Sequence, residues 1–502
     1  MRQRVRSTGN FEHPRSSWPL LFVTIGPMKL RQMISRFSLC LLAWCTLAVV
    51  PTFAQTITHV PLTIEGDPIA RYASDRFGES VSGAGDINGD GFDDVIVGAP
   101  RDDNNYTNSG SARVLSGVDG SALYTFDGDS LVDRLGSSVS GAGDVNGDGI
   151  PDLIAGAPQD DNNGNDSGSA RVFSGDDGSV LYTFDGDSSG DRFGHSVSGA
   201  GDVNGDGFAD LIVVNQRTIP SRAQVFSGVD GSVLYNFEGD SFGSSVSGAG
   251  DLNGDGFADL IVASSFSTQV YSGADGSILY TFLGRGFVAC VSSVGDVNGD
   301  GVNDLIVGSP RDDNNGLDSG SAQVYSGVDG SMLYNFDGDS VGDEFGRSVS
   351  GAGDVNGDGF ADLIVGAPND DNNGTDSGSV RVFSGVDGSV LYNLFGGADK
   401  DFFGTSVSGA GDLNGDGLAD FIVGATLGSG EVSALSYVRL YYSRQNFILG
   451  DVDEDGSVTF ADIQSFIEIL IGGTFLAEAD CNQDGAVTFA DIPAFIAILQ
   501  AG

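Results

Sequence analysis

Seven copies of a nine-residue acidic loop, D-x-N-G-D-G-x-x-D, carry the chemistry of this 502-residue chain. Each copy sets side-chain oxygens at loop positions one, three, five and nine and leaves a backbone carbonyl at position seven. The first copy offers Asp86, Asn88, Asp90 and Asp94, with the carbonyl of Phe92. The second offers Asp144, Asn146, Asp148 and Asp152 with Ile150, and the third Asp202, Asn204, Asp206 and Asp210 with Phe208. The fourth offers Asp251, Asn253, Asp255 and Asp259 with Phe257, and the fifth Asp296, Asn298, Asp300 and Asp304 with Val302. The sixth offers Asp354, Asn356, Asp358 and Asp362 with Phe360, and the seventh Asp412, Asn414, Asp416 and Asp420 with Leu418. Glycine at position six, Gly91 in the first copy, permits the sharp turn that gathers these groups. Hard oxygen donors alternating along a tight loop are what Ca²⁺ requires. Every ligand slot is filled from within the loop, so the metal is expected to hold a hairpin rather than present an open catalytic position.

A different pair of loops lies near the C-terminus. Asp451, Asp453, Asp455, Thr459 and Asp462 take positions one, three, five, nine and twelve of an EF-hand-type loop. Gly456 sits at position six and the carbonyl of Ser457 at seven. Asp480, Asn482, Asp484, Thr488 and Asp491 repeat the pattern, with Gly485 and Ala486 in the same places. Each loop runs into apolar residues at helical spacing: Ile463, Phe466, Ile467 and Leu470, then Ile492, Phe495, Ile496 and Leu499. Residues 450–502 therefore read as a small α-helical module with two further Ca²⁺ sites.

The elements that must position the seven loops follow from their spacing. The loops start 58, 58, 49, 45, 58 and 58 residues apart, which is the period of a repeat architecture. The copy at residues 135–193 holds four strand-like runs: Ser138–Ala142, Asp152–Ala155, Ala170–Ser174 and Val180–Phe184. The acidic loop joins the first two, a D-D-N-N loop the next two, and Asp177-Gly178 the last two, as hairpin chemistry expects. Four antiparallel strands repeated seven times describe an all-β, seven-bladed propeller. After the seventh loop only two strand runs remain, Phe421–Gly424 and Tyr437–Tyr442. Residues 60–67 resemble a fourth strand with no blade of its own, so the N-terminal strand is expected to complete blade 7 and remove an open edge. Blades 3 and 4 lack the D-D-N-N loop, which leaves a low sector on one face of the ring. Loop variation on a rigid scaffold is where binding sites tend to sit.

The ends and the composition bound the setting. Met28 opens a basic stretch, then an apolar run from Ser38 to Val50 and the small-x-small sequence Thr52-Phe53-Ala54. Residues 28–54 read as a secretory signal peptide, with 1–27 an upstream extension. The apolar run, about 13 residues, is short for a span that needs ~20, so no transmembrane helix is expected in the mature chain. Beyond residue 54 the chain carries 16 basic and 69 acidic groups, a net of −53, which excludes a nucleic-acid footprint. Cys290 and Cys481 are too few for a disulfide scaffold. The expected organisation is a leader (1–54), a propeller (55–443), a linker (444–449) and the paired-loop module (450–502).

The repeats resemble the FG-GAP repeats of integrin α-chain propellers. The FG element is seen at Phe77-Gly78, Phe193-Gly194, Phe242-Gly243, Phe345-Gly346 and Phe403-Gly404, and as Leu135-Gly136 in the second copy. The GAP element is seen at Gly98-Ala99-Pro100, Gly156-Ala157-Pro158 and Gly366-Ala367-Pro368. Blade 3 has Val213-Val214-Asn215 and blade 4 Ala263-Ser264-Ser265 instead, and blade 5 has Phe287-Val288 in place of FG. The C-terminal module, with Asp at position twelve of both loops, resembles dockerins. That likeness implies a cohesin-like partner met through Phe460, Ala461, Phe489 and Ala490.

These likenesses imply a secreted or cell-surface protein for adhesion to, or recognition of, an extracellular protein or glycan. A secreted polysaccharide-degrading enzyme and a purely structural surface protein are the alternatives. Against catalysis, the mature chain has two histidines, His59 and His195, and no nucleophile–base or zinc constellation. Carboxylates inside the ring's channel would favour the enzyme. The D-D-N-N loops at Asp102-Asp103, Asp160-Asp161, Asp312-Asp313 and Asp370-Asp371 are expected as solvated polar turns.

Overall fold

The computed structural model describes residues 61–67, 75–216, 220–239, 242–427 and 435–443. The leader, the paired loops of 450–502 and Phe460, Ala461, Phe489 and Ala490 lie outside these described residues. The described strands form seven four-stranded antiparallel sheets. Blade 2 shows how the sequence builds one. Its strands are Ser138–Gly143, Asp152–Ala157, Ser169–Phe173 and Val180–Asp185, paired in chain order. The outer hairpin turns at Gly178, whose φ of 71° suits glycine, and the Ser179 N–H donates to the Asp177 carboxylate at 2.8 Å. The second strand is buried at all six positions. Neighbouring blades cover both its faces, so it reads as an unbroken apolar run and not as an alternating one.

The first strands of the seven blades touch those of both neighbours and close a ring. The core therefore lies in seven seams between blades. In one seam Ile96 and Val114 of blade 1 meet Val139 and Leu153 of blade 2. In the closing seam Phe77 and Val95 of blade 1 meet Ile422, Val438 and Leu440 of blade 7. Aromatic rings reinforce the outer part of these seams. Phe126 stacks on Phe173 of the next blade with centroids 3.9 Å apart, and Phe237 on Tyr271 at 4.0 Å.

Strand Leu62–Glu65 lies antiparallel beside Tyr437–Tyr441, in one sheet with Asp420–Ala425 and Phe403–Gly411. The N-terminal segment thus covers the edge that the C-terminal blade would expose. A fourth-strand tyrosine usually ties each blade to the next. Tyr182 donates to the Gly228 carbonyl at 2.8 Å, and Tyr235 to that of Gly273 at 2.7 Å. Strand Leu62–Glu65 has leucine in that place, and Tyr442 supplies the missing hydroxyl, donating to the Gly117 carbonyl at 2.9 Å.

The FG and GAP elements interlock across the seams. A Cβ on the GAP glycine of one blade would collide with the FG glycine carbonyl of the next: Gly98 with Gly136, Gly156 with Gly194, Gly366 with Gly404, and Gly424 with Gly78. Backbones approach here more closely than any side chain allows. Blade 3 departs by seating Val214 against Gly243 of blade 4. Blade 5 corrects the sequence reading. Val288, fully buried, fills the place of the FG phenylalanine. The Ala289 N–H donates to the Gly308 carbonyl at 3.1 Å, as Gly136 does to Gly156 at 3.0 Å. Phe287 instead lies half-buried with the Arg311 guanidinium 5.3 Å from its ring centroid. The substitution Gly156→Ala is expected to lower stability by about 2 kcal/mol or more through overpacking. Thermal unfolding checks this, with Gly190→Ala, in open space on the surface at positive φ, as the milder comparison.

Candidate metal sites

Antiparallel order puts the acidic loop at one end of every blade, together with the Asp-Gly turn in blades 1–6. Within each loop the position-one carboxylate gathers backbone donors. Asp144 accepts the N–H groups of Gly147 at 2.6 Å, Asp148 at 3.1 Å and Gly149 at 2.9 Å. Asn146 accepts from Asp148 at 2.8 Å, and Asp148 from Ile150 at 2.8 Å. Gly147 and Gly149 take φ of 78° and 90°, the left-handed region that this coil requires. The same bonds recur in the first loop through Asp86, Asn88 and Asp90, and in the seventh through Asp412, Asn414 and Asp416. The donor set consists of hard oxygens held on one tight loop, the ligand chemistry that Ca²⁺ takes.

Position nine behaves differently. Asp94, Asp152, Asp210, Asp259, Asp304, Asp362 and Asp420 are fully buried. Asp152 Oδ2 accepts from the Val145 N–H at 2.8 Å and Oδ1 from the Gly175 N–H at 3.0 Å. Gly175 belongs to the outer hairpin, so this carboxylate ties the two hairpins of its blade together. The tie repeats in every blade, from Asp94 with Gly117 to Asp420 with Ser443. Burial raises these carboxyls, to about 6 in Asp210 and Asp304 and about 7 in Asp362 and Asp420. The other loop aspartates, such as Asp358 and Asp354 beside Asp362, add to the rise. Burial thus favours the neutral form of these carboxyls, and a nearby cation would be needed to keep them charged.

The loops also touch around the ring. The Ala209 N–H of the third loop donates to the Asp144 carbonyl of the second at 3.0 Å, and Asp93 of the first donates to Asp412 of the seventh at 3.1 Å.

The D-D-N-N loops occupy the opposite end of the blades. Their first aspartates, Asp102, Asp160, Asp312 and Asp370, are buried and not solvated as the sequence suggests. Each loop folds back over its own blade. Asp102 thereby accepts from the Ser111 hydroxyl at 2.7 Å, and Asp312 from Ser321 at 2.7 Å. Asn105 donates to the Gly128 carbonyl at 3.1 Å, which links the loop to the inter-blade connection. Blade 4 replaces all this with the short turn Ser264-Ser265-Phe266-Ser267. There Phe266 is 70% exposed and Leu283, on the neighbouring strand, 79% exposed.

Reactive groups elsewhere are quiet. Burial, with Arg192 nearby, pushes His195 down to about 4, so it is neutral at physiological pH. Burial pushes the Cys290 thiol up. Both lie on innermost strands, which otherwise carry mainly serine, glycine, valine and alanine, and Glu79 at the entry of the first is held by Arg76 at 2.8 Å.

Positions five and nine should separate by mutation. In chelator, Asp152→Ala is expected to cost about 2–3 kcal/mol, because two buried N–H groups lose their acceptor. Asp148→Ala, at an exposed position, should change stability by less than ~1 kcal/mol without metal. Thermal unfolding of both variants in chelator checks the difference.

Comparison with known proteins places the chain. Residues 77–115, 135–173, 193–225, 242–280, 291–325, 345–383 and 403–435 match the FG-GAP repeat, which together is just over half of the chain. Residues 449–499 match the Dockerin type I domain. Integrin alpha-5 of Xenopus laevis is 33% identical over 150 residues, 28% of this chain and 14% of that protein. Human integrin alpha-11 is 37% identical over 131 residues, 24% of this chain and 11% of its own length. The matches thus span a small part of those longer relatives. Seven matched repeats, one per blade, with interlocking FG and GAP glycines, show that the chain belongs to the FG-GAP repeat family.

Proposed function

We propose that this chain is a secreted, calcium-loaded recognition propeller that adheres to an extracellular protein or glycan and is attached through its C-terminal dockerin-type module. The observation that carries this reading is the division of labour between the two ends of the blades. At one end stand seven near-identical acidic loops, each tied by its buried position-nine aspartate. At the other, loop length varies, and the low sector presents Phe266 and Leu283 beside Arg285 and Arg311, both exposed. Exposed apolar side chains flanked by guanidinium groups suit a partner surface. The innermost described strands hold no carboxylate, which favours binding over hydrolysis. The dockerin match supports a cohesin-type partner for residues 449–499, met through Phe460, Ala461, Phe489 and Ala490.

Seven Ca²⁺ ions are assigned to the propeller loops through the residues at positions one, three, five, seven and nine. Two more are assigned to Asp451, Asp453, Asp455, Ser457, Thr459 and Asp462, and to Asp480, Asn482, Asp484, Ala486, Thr488 and Asp491. Bound there, the ion supplies the positive charge that the buried position-nine carboxylates require.

Chelation is expected to lower the unfolding midpoint of residues 55–502 by roughly 10–20 °C, since several sites contribute together. Circular dichroism with and without excess Ca²⁺ reads this, and an unchanged midpoint would sink the metal assignment. The pH response should also reverse between forms. A carboxyl raised to about 6 or 7 in the fold binds more protons folded than unfolded between its ordinary value and the raised one. Its contribution is present at low pH and is lost as pH rises through the raised value. Metal-free protein should therefore gain stability as pH falls from about 7 toward 5, whereas Ca²⁺-loaded protein should lose it as protons displace the ion. Melting both forms across that range tests the sign.

For recognition, the calcium-loaded chain would be probed on arrays of glycans and extracellular matrix proteins. Phe266→Asp with Leu283→Asp should reduce capture at least tenfold without lowering the melting midpoint. Equal capture by the double variant would move the binding surface elsewhere.

A further inference from the structure

Blade 2 holds a second kind of carboxylate cluster, at the end opposite its acidic hairpin loop. Asp129 and Asp133 come from the connection that enters the blade, and Asp160 from its D-D-N-N loop. One carboxylate oxygen from each lies within 4.8 Å of the other two. Asp133 and Asp160 are buried, and the Asp129 side chain is 63% exposed.

The hydrogen bonds at this point do not close. Asp160 is well supplied: the Ser169 hydroxyl donates at 2.7 Å, and Asn162 at 3.1 Å from its backbone and 3.2 Å from its side chain. Asp133 Oδ2 accepts the Ser130 N–H at 2.6 Å. Asp133 Oδ1 is buried and has no donor. What faces it is another acceptor, the Asp129 carboxylate. Two acceptors facing each other require something positive between them. Arg171, on the third strand, contacts Asp129 at 2.9 Å and Asp160 at 3.4 Å. One guanidinium against three carboxylates leaves two negative charges.

We propose that Asp129, Asp133 and Asp160 bind a Ca²⁺ ion, separate from the hairpin sites. Ca²⁺ holds oxygens at about 2.3–2.6 Å, so ligands of one ion lie at most roughly 5 Å apart, and these three carboxylates fall inside that limit. The exposed side of Asp129 leaves room for water to complete the shell. Burial raises the Asp133 carboxyl, and Asp160 and Asp129 raise it further, as expected of a site short of positive charge.

The other blades supply internal controls. In blade 1 the matching Asp75 has both oxygens satisfied, by the N–H groups of Asp67 at 2.8 Å and Phe77 at 3.1 Å. In blade 6 Arg381 binds Asp339 with both of its terminal nitrogens. Blade 5 carries Arg285 in the place of Asp129 and Gln323 in the place of Arg171. Among the described residues, the three-carboxylate approach is found in blade 2.

Native mass spectrometry of the full mature chain, loaded with Ca²⁺ and exchanged into volatile buffer, counts bound ions singly. Asp133→Asn and Asp129→Asn should each hold one ion fewer than the parent. Asp148→Ala should also lose one, from the hairpin loop, and Asp129→Asn combined with Asp148→Ala should lose two. Unchanged counts in the Asp129 and Asp133 variants, with a loss in Asp148→Ala, would overturn the site and leave a shared proton between the carboxyls. No bound Ca²⁺ in any form would overturn both this site and the hairpin assignment. Asp129 is exposed, so its variant gives the reading even if Asp133→Asn fails to fold.

Discussion

Each blade depends on one buried carboxylate. The aspartate at loop position nine accepts backbone N–H groups from its own loop and from the outer hairpin, and so binds the two hairpins of a blade to a single anion. Such an anion is costly without positive charge nearby. The remaining loop residues are arranged around it as oxygen donors, which makes a metal ion the natural counter-charge. The acidity of the chain then has a structural cause. A protein with 70 acidic and 23 basic residues would suffer from self-repulsion, which cations at the proposed sites would offset where the carboxylates are densest.

A second constraint acts between blades. Glycine faces glycine across most seams, and the backbones meet without side chains between them. This keeps the first strands close enough to form a ring. The departures are instructive. Blade 3 admits Val214 because Gly243 opposite leaves it space. Blade 5 gives up one residue at the start of its first strand, and Val288 drops into the pocket that phenylalanine fills elsewhere. The ring tolerates such changes because each seam is its own small core. Variation can then collect on the face opposite the acidic hairpin loops, as the short loop around Phe266 shows.

Much of this was legible in the sequence because the repeat is nearly exact. The oxygen donors at alternate loop positions, the Asp-Gly turns and the unbroken apolar second strands are local signals, and each marks one element. Counting strands in the first and last repeats pointed to an N-terminal strand beside the last blade. The D-D-N-N loops were harder. Their composition reads as solvated, yet Asp102 and Asp160 are buried, because the loop folds back over a serine hydroxyl on the third strand, nine residues away.

The sequence by itself determined the seven blades, the donor set of each acidic loop and the order of strands, since these depend on residues close together in the chain. Only the tertiary structure decided which carboxylates are buried and what faces them. Asp152 meets Gly175 twenty-three residues on, and Asp129 meets Asp160 across a blade. Those meetings are set by sheet pairing and by the folding of one loop over another. No local pattern in the chain distinguishes the satisfied Asp75 from the orphaned Asp133. The difference lies in whether a backbone N–H happens to point at the second oxygen, and that is a matter of packing.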